Sequence, residues 1–482
     1  MTLLTATIAL LGTWLVGAGL AAVALRGSWR DEPGARALLI GSAYPLGALA
    51  VAGWLYALAL LRIPASTTLA VAPVALAALV AAWRVVQRTR AGDWRIWRAA
   101  ASGSHLSPGE RWIWRALIGW LALRALLLAA EIVSRPPLPW EAWLHAAGRG
   151  HLWHALRAPA TFVPEPFWWN AGGYLAALSS VSLLTPALDA WTSFAVGGFD
   201  DTLIHAPWLA FWVSQLLIVY GALRSMGAAP LHALLGAAFV GTLPMANAHA
   251  ALGGTAVLPL ASYYVALAVF ASRFARRLAR GDGAIAIAMM AGAIVAGGAS
   301  ALLWLATLLP LAVTRASAQT MRKAIGAMLV AAVLAAIAVA QNRLFAPAGL
   351  QDVPSPGLAA LFQHAFLLGN WHLLPYAAAA CAIVGVRTWS DRERLPLTGV
   401  VALGAVAVIA LSATSAGYRL LGPIGVIAQA SLTFAPLLGL WTAWVAHAAW
   451  SDTRAAAPGS AHTGPTPAPV ATTAATTAVH GS

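Results

Sequence analysis

The chain has 482 residues, 60% of them hydrophobic and only 9% charged, with a mean hydropathy of +0.76. A soluble domain of this size could not cover its core with so little polar surface, so that class is excluded. The formal net charge of +14 does not mark a nucleic-acid binder, because the arginines are dispersed in short segments between apolar stretches.

Apolar stretches long enough to cross roughly 30 Å of hydrocarbon recur from end to end. They predict about thirteen spans, at 3–25, 38–61, 66–86, 115–133, 207–223, 228–245, 253–272, 283–299, 301–314, 325–341, 373–388, 397–414 and 424–447. The fold class expected is all-α: a polytopic transmembrane helical bundle with a long, helix-bearing outer loop. The first stretch follows Met1 without a basic segment, so it reads as a first span rather than a cleaved signal. Only a small-residue turn divides the pair around 283–314. Cys381, the single cysteine, lies in an apolar stretch and offers neither a disulfide framework nor a thiol metal site. Lys323 is the only lysine, which together with the abundant alanine reads as the imprint of a GC-rich bacterial genome.

Orientation follows from the basic residues. Arg26, Arg30 and Arg36 fall in one loop, and Arg84, Arg88, Arg90, Arg95, Arg98, Arg111 and Arg115 in another. Arg273, Arg276, Arg277 and Arg280, then Arg315, Arg322 and Lys323, and finally Arg387, Arg392 and Arg394 complete the set. Alternation of the spans puts all of them on one side, which is then cytoplasmic, with the amino terminus outside and the carboxy terminus inside. Runs such as Trp94-Arg95-Ile96-Trp97-Arg98 and Arg111-Trp112-Ile113-Trp114-Arg115 read as anchors on anionic lipid.

Two long loops, 134–206 and 342–372, face the other side. In the first, Trp143, Trp153, Trp168 and Trp169 suit helices lying in the headgroup region, and 168–187 reads as an interfacial helix rather than a span. Three regions result: 1–114, N-terminal helices with a basic cytoplasmic loop; 115–450, a transmembrane core with outer loop 134–206; and 451–482, an Ala/Thr/Pro tail too poor in large apolar residues to bury a core and expected to be disordered. No internal repeat is visible.

Few polar groups stand out against this background. Glu141, in Pro137-Leu-Pro-Trp-Glu-Ala-Trp143, sits where a span opens into the first long loop. Partial desolvation between Trp140 and Trp143 would suit it to general-base work at the membrane surface, and the plainer reading is a carboxylate at a helix N-terminus. Asp200 and Asp201 could hold a divalent cation, or cap the following helix. His145, His151 and His154 are close in sequence but lack further ligands for a metal, and they read more simply as interface histidines. Arg419, at the outer end of the penultimate span, is either a guanidinium clamp for a phosphate or a snorkelling side chain, and Arg343 is a second candidate for the same role. Arg124 and Glu131 in the fourth span share a helix face by their seven-residue spacing.

These segments together resemble bacterial integral-membrane glycosyltransferases of the C type, the GT-C superfamily. Trp140-Glu141-Ala142-Trp143 is similar to the Trp-Asp-Ala-Trp that follows a transmembrane helix in a common bacterial version, with Glu for Asp. Pro164-Glu165-Pro166-Phe167 stands where such proteins have a Pro-containing stretch, and His249-Ala250 through Leu258-Pro259-Leu260-Ala261 matches a His-Ala…Leu-Pro-Leu-Ala segment in outline. Tyr418-Arg419 resembles an outer arginine near the last spans. The resemblance covers roughly 115–445 and leaves spans 3–86 unexplained. It departs from the family at Val257, where an acid is usual before Leu-Pro-Leu-Ala, and at Ala296 to Leu303, where a Lys and an acid are often found.

The resemblance implies a GT-C-like core that transfers a sugar from a polyprenyl-phosphate donor at the periplasmic face of a bacterial inner membrane. Glu141 would be the base and Arg419 or Arg343 the donor-phosphate contact. His145, Glu165, Asp200, Asp201 and His249 would be further outer-loop contacts. The partners expected are the lipid-linked donor and membrane lipids, with no nucleic acid. No metal or other cofactor is assigned, and a divalent cation at the aspartates is compatible with this reading. The alternatives are a non-catalytic relative in envelope glycan assembly, favoured by Val257, and a lipid or glycan transporter.

Overall fold

The computed structural model describes residues 2–25, 32–90, 106–138, 142–158, 182–341, 357–385, 394–414 and 425–455. Every regular element among them is helical. The first four helices are α1 (Thr2–Ala24), α2 (Ala35–Leu60), α3 (Thr67–Arg90) and α4 (Pro108–Ser134). A π-helical turn, Ala142–Ala147, leads into α5 (Gly148–Leu156) and then α6 (Leu184–Val196). Next come α7 (Ala206–Ser225), α8 (Pro230–Gly241), α9 (Pro244–Ala251), α10 (Val257–Arg277), α11 (Arg280–Gly297) and α12 (Ala299–Ala306). The last five are α13 (Ala318–Gln341), α14 (Gly357–Phe362), α15 (Leu374–Gly385), α16 (Leu395–Ala413) and α17 (Val426–Ala455).

Local sequence accounts for several boundaries. Ser107-Pro108-Gly109-Glu110 starts α4 seven residues before its expected span, because it forms a capping box: the Ser107 hydroxyl accepts the Glu110 N–H at 3.3 Å, and the Glu110 carboxylate accepts the Ser107 N–H at 2.8 Å. Gly298, at φ 53°, ends α11 and lets the chain reverse into α12. Thr242 and Leu243 separate α8 from α9, which meet at a 63° bend, where Pro244 could not have continued the ladder of α8.

Among the described residues, ten helices are long and apolar enough to cross a membrane, or eleven if α8 and α9 are one broken span. The shortfall from the expected thirteen lies in 301–314 and 373–388, where the structure has shorter apolar helices, Ser300–Val313 and Leu374–Val384. Neighbouring contacts show how the first of these runs. A Cβ on Gly297 would touch Leu260, the Tyr264 hydroxyl meets Thr307 Oγ1 at 2.6 Å, and Arg315 Nε donates to the Ala275 carbonyl at 3.1 Å. Residues 297–315 therefore run parallel to α10 along most of its length.

The core is built around α10, of which 89% of the apolar window is buried, against 11% for the peripheral α4 and α13. An aromatic layer joins it to α2 and α7: Tyr44 meets Phe211 edge-on at 5.0 Å, Phe211 meets Tyr263 at 5.8 Å, and the Tyr263 hydroxyl donates to the Pro45 carbonyl at 2.7 Å. The same continuous apolar cluster takes in Ala21 of α1, Leu55 of α2, Val74 of α3 and Leu440 of α17.

The basic segments gather at one end of the bundle. Glu32, before α2, bonds Arg273 and Arg277 of α10, while Met321 and Ile325 of α13 cluster with Leu395 of α16. At the opposite end, the loop face, Tyr56 donates to the Leu183 carbonyl at 3.0 Å, and the Ala65 N–H bonds the Arg157 carbonyl at 2.6 Å.

The outer loop differs from expectation. Of the interfacial helix expected over 168–187, the residues from Leu184 on belong to α6, and Leu184 through Phe194 are buried rather than spread on a surface. At 13 residues α6 is about 20 Å long, too short to span, and apolar residues on all its sides let it fill the space between α1, α2, α3 and α5. Trp153, expected among headgroups, is buried edge-on against Tyr56 at 5.6 Å, whereas Trp143 is exposed. Trp168 and Trp169 lie outside the described residues.

Asp189 of α6 is 0% exposed, and neither carboxylate oxygen has a hydrogen-bond partner. Gly150 of α5 lets the two backbones close over it, since a Cβ there would come 2.5 Å from the Asp189 Cβ. Burial pushes the Asp189 carboxyl well above the ordinary carboxylate range. The folded chain keeps a proton that the unfolded chain releases, so stability is greatest below the ordinary range and declines as pH rises beyond it. Asp189→Asn should therefore raise the melting temperature. The gain should be near zero at pH 4 and grow by up to about 1.4 kcal/mol per pH unit above it. A difference between the two proteins that is constant with pH would contradict a buried, protonated Asp189.

Candidate functional site

A set of polar groups at the loop face surrounds the turn between α9 and α10. His249, near the end of α9, places Nδ1 3.2 Å from Thr255 Oγ1. Trp208, at the start of α7, donates its indole N–H to the Thr255 carbonyl at 2.8 Å. Gly253 and Gly254 are required here by space and backbone. A Cβ on Gly253 would fall 2.8 Å from the Trp208 ring, and Gly254 has φ +82°. A Cβ on Gly254 would lie 2.5 Å from the Cβ of Ala142 and 3.4 Å from His205 Nε2. The π-helical turn at Ala142–Ala147 thus rests directly on Gly254.

His205 is the group here that sequence reasoning missed. It is 1% exposed, stands edge-on to Trp208 at 5.8 Å, and neither ring nitrogen has a hydrogen-bond partner. The signal was a lone polar residue at the head of an apolar run, which reads as a loop end until the fold closes over it. The indole N–H is committed to the Thr255 carbonyl and His249 to the Thr255 hydroxyl, so these groups brace the turn, and none of them is a permanent cation that would hold an anion by charge.

Of the expected site residues, Asp200, Asp201 and His249 are described. Asp200 Oδ1 accepts the Thr202 N–H at 2.9 Å, the Thr202 hydroxyl at 2.7 Å and the Leu203 N–H at 3.1 Å, capping the turn before α7. Burial alone would raise this carboxyl, but the three hydrogen bonds outweigh it and hold it below its ordinary value. Asp201 is exposed beside it. His151 and His154 do not converge: His151 stacks on Phe199 at 4.4 Å, and His154 packs on Phe194 at 5.0 Å. Burial, His151 and Arg157 push the His154 pKa below its ordinary value. Among the described residues no three His, Cys, Asp or Glu side chains are placed to hold a metal ion. Glu141, Glu165, Arg343, Arg419 and the side chain of His145 lie outside the described residues.

The helices and their apolar surfaces define a multi-pass α-helical membrane protein. No family model, no curated protein and no solved structure matches the chain.

Proposed function

We propose that this is a GT-C-like protein of a bacterial inner membrane, transferring a sugar from a polyprenyl-phosphate donor to an envelope glycan or lipid at its periplasmic loop face. One observation carries the reading most: two segments that resemble the family's motifs, distant in sequence, meet. Ala142, the residue after Glu141, is buried on Gly254, midway between His249 and Leu258-Pro259-Leu260-Ala261. Glu141 is the proposed base for the acceptor hydroxyl, and Arg419, with Arg343 as second candidate, the contact for the donor phosphate.

In the same reading the chain crosses the membrane thirteen times, counting α8 with α9 as one span and the two short apolar helices as one each. The parallel run of 297–315 beside α10 supports the first short crossing. For the second, Leu374 lies beside Gly439 and Cys381 Sγ reaches the Thr442 carbonyl at 3.5 Å, so α15 runs parallel to α17. The odd number puts the termini on opposite sides, and a cytoplasmic basic end would then put the amino terminus outside and the carboxy terminus inside.

Glu141→Gln should abolish transfer while the protein stays in the membrane with an unchanged melting temperature. The measurement is complementation of a deletion strain, scored by mass spectrometry of envelope glycans and lipids. Normal products from that variant would remove the catalytic role of Glu141. They would then favour the second reading, a non-catalytic relative that binds a lipid-linked glycan or a partner transferase. That reading has its own observation: Val257, at the usual place of a second acid, is packed with Leu243, Trp371, Leu374 and Leu432 in an apolar cluster.

A further inference from the structure

α4 carries Arg124 ten residues before its loop-face end, a distance of about 15 Å along the helix. A cation so deep in a peripheral apolar helix is expected to have a counter-charge. The sequence offers Glu131 on the same face, but Glu131 pairs with Arg135 at 3.3 Å instead. Among the described residues Arg124 has no acidic partner. Its Nε donates to Asn247 Oδ1 at 3.3 Å. Asn247 is 3% exposed, and its Nδ2 donates to the Leu243 carbonyl at 2.9 Å, which turns the amide oxygen toward the arginine. One neutral amide orients a guanidinium without neutralising it, and it leaves the Nη edge of the fork for an oxyanion.

The surroundings fit such a ligand. Asn247 stands four residues beyond the break between α8 and α9, and interrupted helices are where membrane proteins expose polar backbone to substrates. Gly241, at the end of α8, brings the break against Leu121 of α4, one turn from Arg124. The Met245 N–H, at the start of α9, is met by the Asn370 carbonyl from the second long loop at 3.3 Å. The rest of α4 is largely exposed apolar surface, including Leu123, Leu126 and Leu127, so the approach to Arg124 is through hydrocarbon.

We propose that Arg124 and Asn247, beside the α8–α9 break, form an anion site for the phosphate of an amphiphile with a long apolar chain, drawn below the headgroup plane along α4. Arg124 would take two phosphate oxygens on its Nη edge, and Asn247 would hold the guanidinium in register. The site is independent of the transferase reading and of Glu141, because it concerns binding alone.

The test uses the full chain in nanodiscs of zwitterionic lipid, with radiolabelled farnesyl phosphate as probe and farnesol and inorganic phosphate as competitors. Farnesyl phosphate should bind saturably, and Arg124→Gln should weaken it by about tenfold or more, as loss of a charge-assisted pair implies. Arg124→Lys should keep part of the affinity, Asn247→Ala should lose part of it, and neither competitor should displace the probe at equal concentration. Unliganded melting temperatures serve as the folding control. Should Arg124→Gln not fold, the Arg124→Lys and Asn247→Ala affinities decide. Unchanged affinity in the variants would overturn the site. Equal displacement by farnesol would reduce it to an apolar groove, and equal displacement by inorganic phosphate would overturn the membrane source of the ligand.

Discussion

Arg273→Ala is expected to cost about 3–5 kcal/mol of stability, the usual result of deleting one member of a buried ionic cluster. Arg273 is 2% exposed at the arginine-rich end of α10. Its Nη1 and Nη2 donate to the two Glu32 oxygens at 2.6 and 2.8 Å, and its Nε donates to Asp282 Oδ1 at 3.1 Å. Arg277 adds a further bond to Glu32 at 2.6 Å. Removing the guanidinium leaves the Asp282 carboxylate, whose second oxygen already lacks a partner, buried without compensation. It also removes the Arg273 bonds to Glu32 and leaves Arg277 to hold the segment before α2 to α10. Arg273→Lys should recover only part of the loss, because an ammonium cannot bond both carboxylates in the same fork geometry.

The same cluster sets an acid limit. Burial alone would raise the Glu32 carboxyl, but its bonds to Arg273 and Arg277 prevail and hold it below its ordinary value. A depressed folded-state pKa contributes stability that is fully present above the ordinary carboxylate range and is lost as pH falls through the folded value. Thermal melts in detergent would check both points. An Arg273→Ala protein that melts with the wild type, or the same acid sensitivity in Glu32→Gln, would contradict them.

Gly47→Val should separate α1 from α2. The two helices touch backbone to backbone: a Cβ on Gly47 would overlap the Thr13 carbonyl oxygen, and a Cβ on Gly17 the Ala43 carbonyl oxygen. Trp14 Nε1 donates to the Ile40 carbonyl at 2.8 Å within the same contact. Overpacking a core ordinarily costs about 1–3 kcal/mol. A cost above that range is expected at Gly47, because the atom struck belongs to a helix backbone that cannot rotate away. Gly53→Val supplies the control, since nothing lies within 4 Å of a Cβ at that position of α2. Limited proteolysis and melting temperature should both separate the two variants. Equal behaviour would mean that α1 is not held by this crossing.

Much of the fold was legible because hydrocarbon imposes a simple rule: each long span must be nearly all apolar and satisfy its own backbone. α1, α2, α7, α10 and α16 lie close to where their apolar runs place them. The gathering of Arg273, Arg277, Arg315 and Lys323 toward one end followed from alternating spans. The shorter helices were less legible. The apolar runs at 301–314 and 373–388 predicted spans but not how short their helices are, and a break at Leu243-Pro244 inside a continuous apolar run does not alter its hydropathy. α6 was misplaced for a related reason. A 13-residue apolar segment with Trp191 and Asp189 has the composition of a surface helix and of a buried plug alike.

The candidate site divides along the same line. Composition and pattern by themselves determined that the chain is a helical membrane protein and which of its segments are basic. Tertiary structure alone decided that Ala142 lies on Gly254, that His205 is sealed without a partner, and that Arg124 bonds Asn247 rather than Glu131. Periodicity reports which face a residue occupies on its own helix. Which residues meet depends on how helices distant in sequence pack, and in a chain this rich in Ala, Gly and Leu many packings satisfy the same hydropathy pattern.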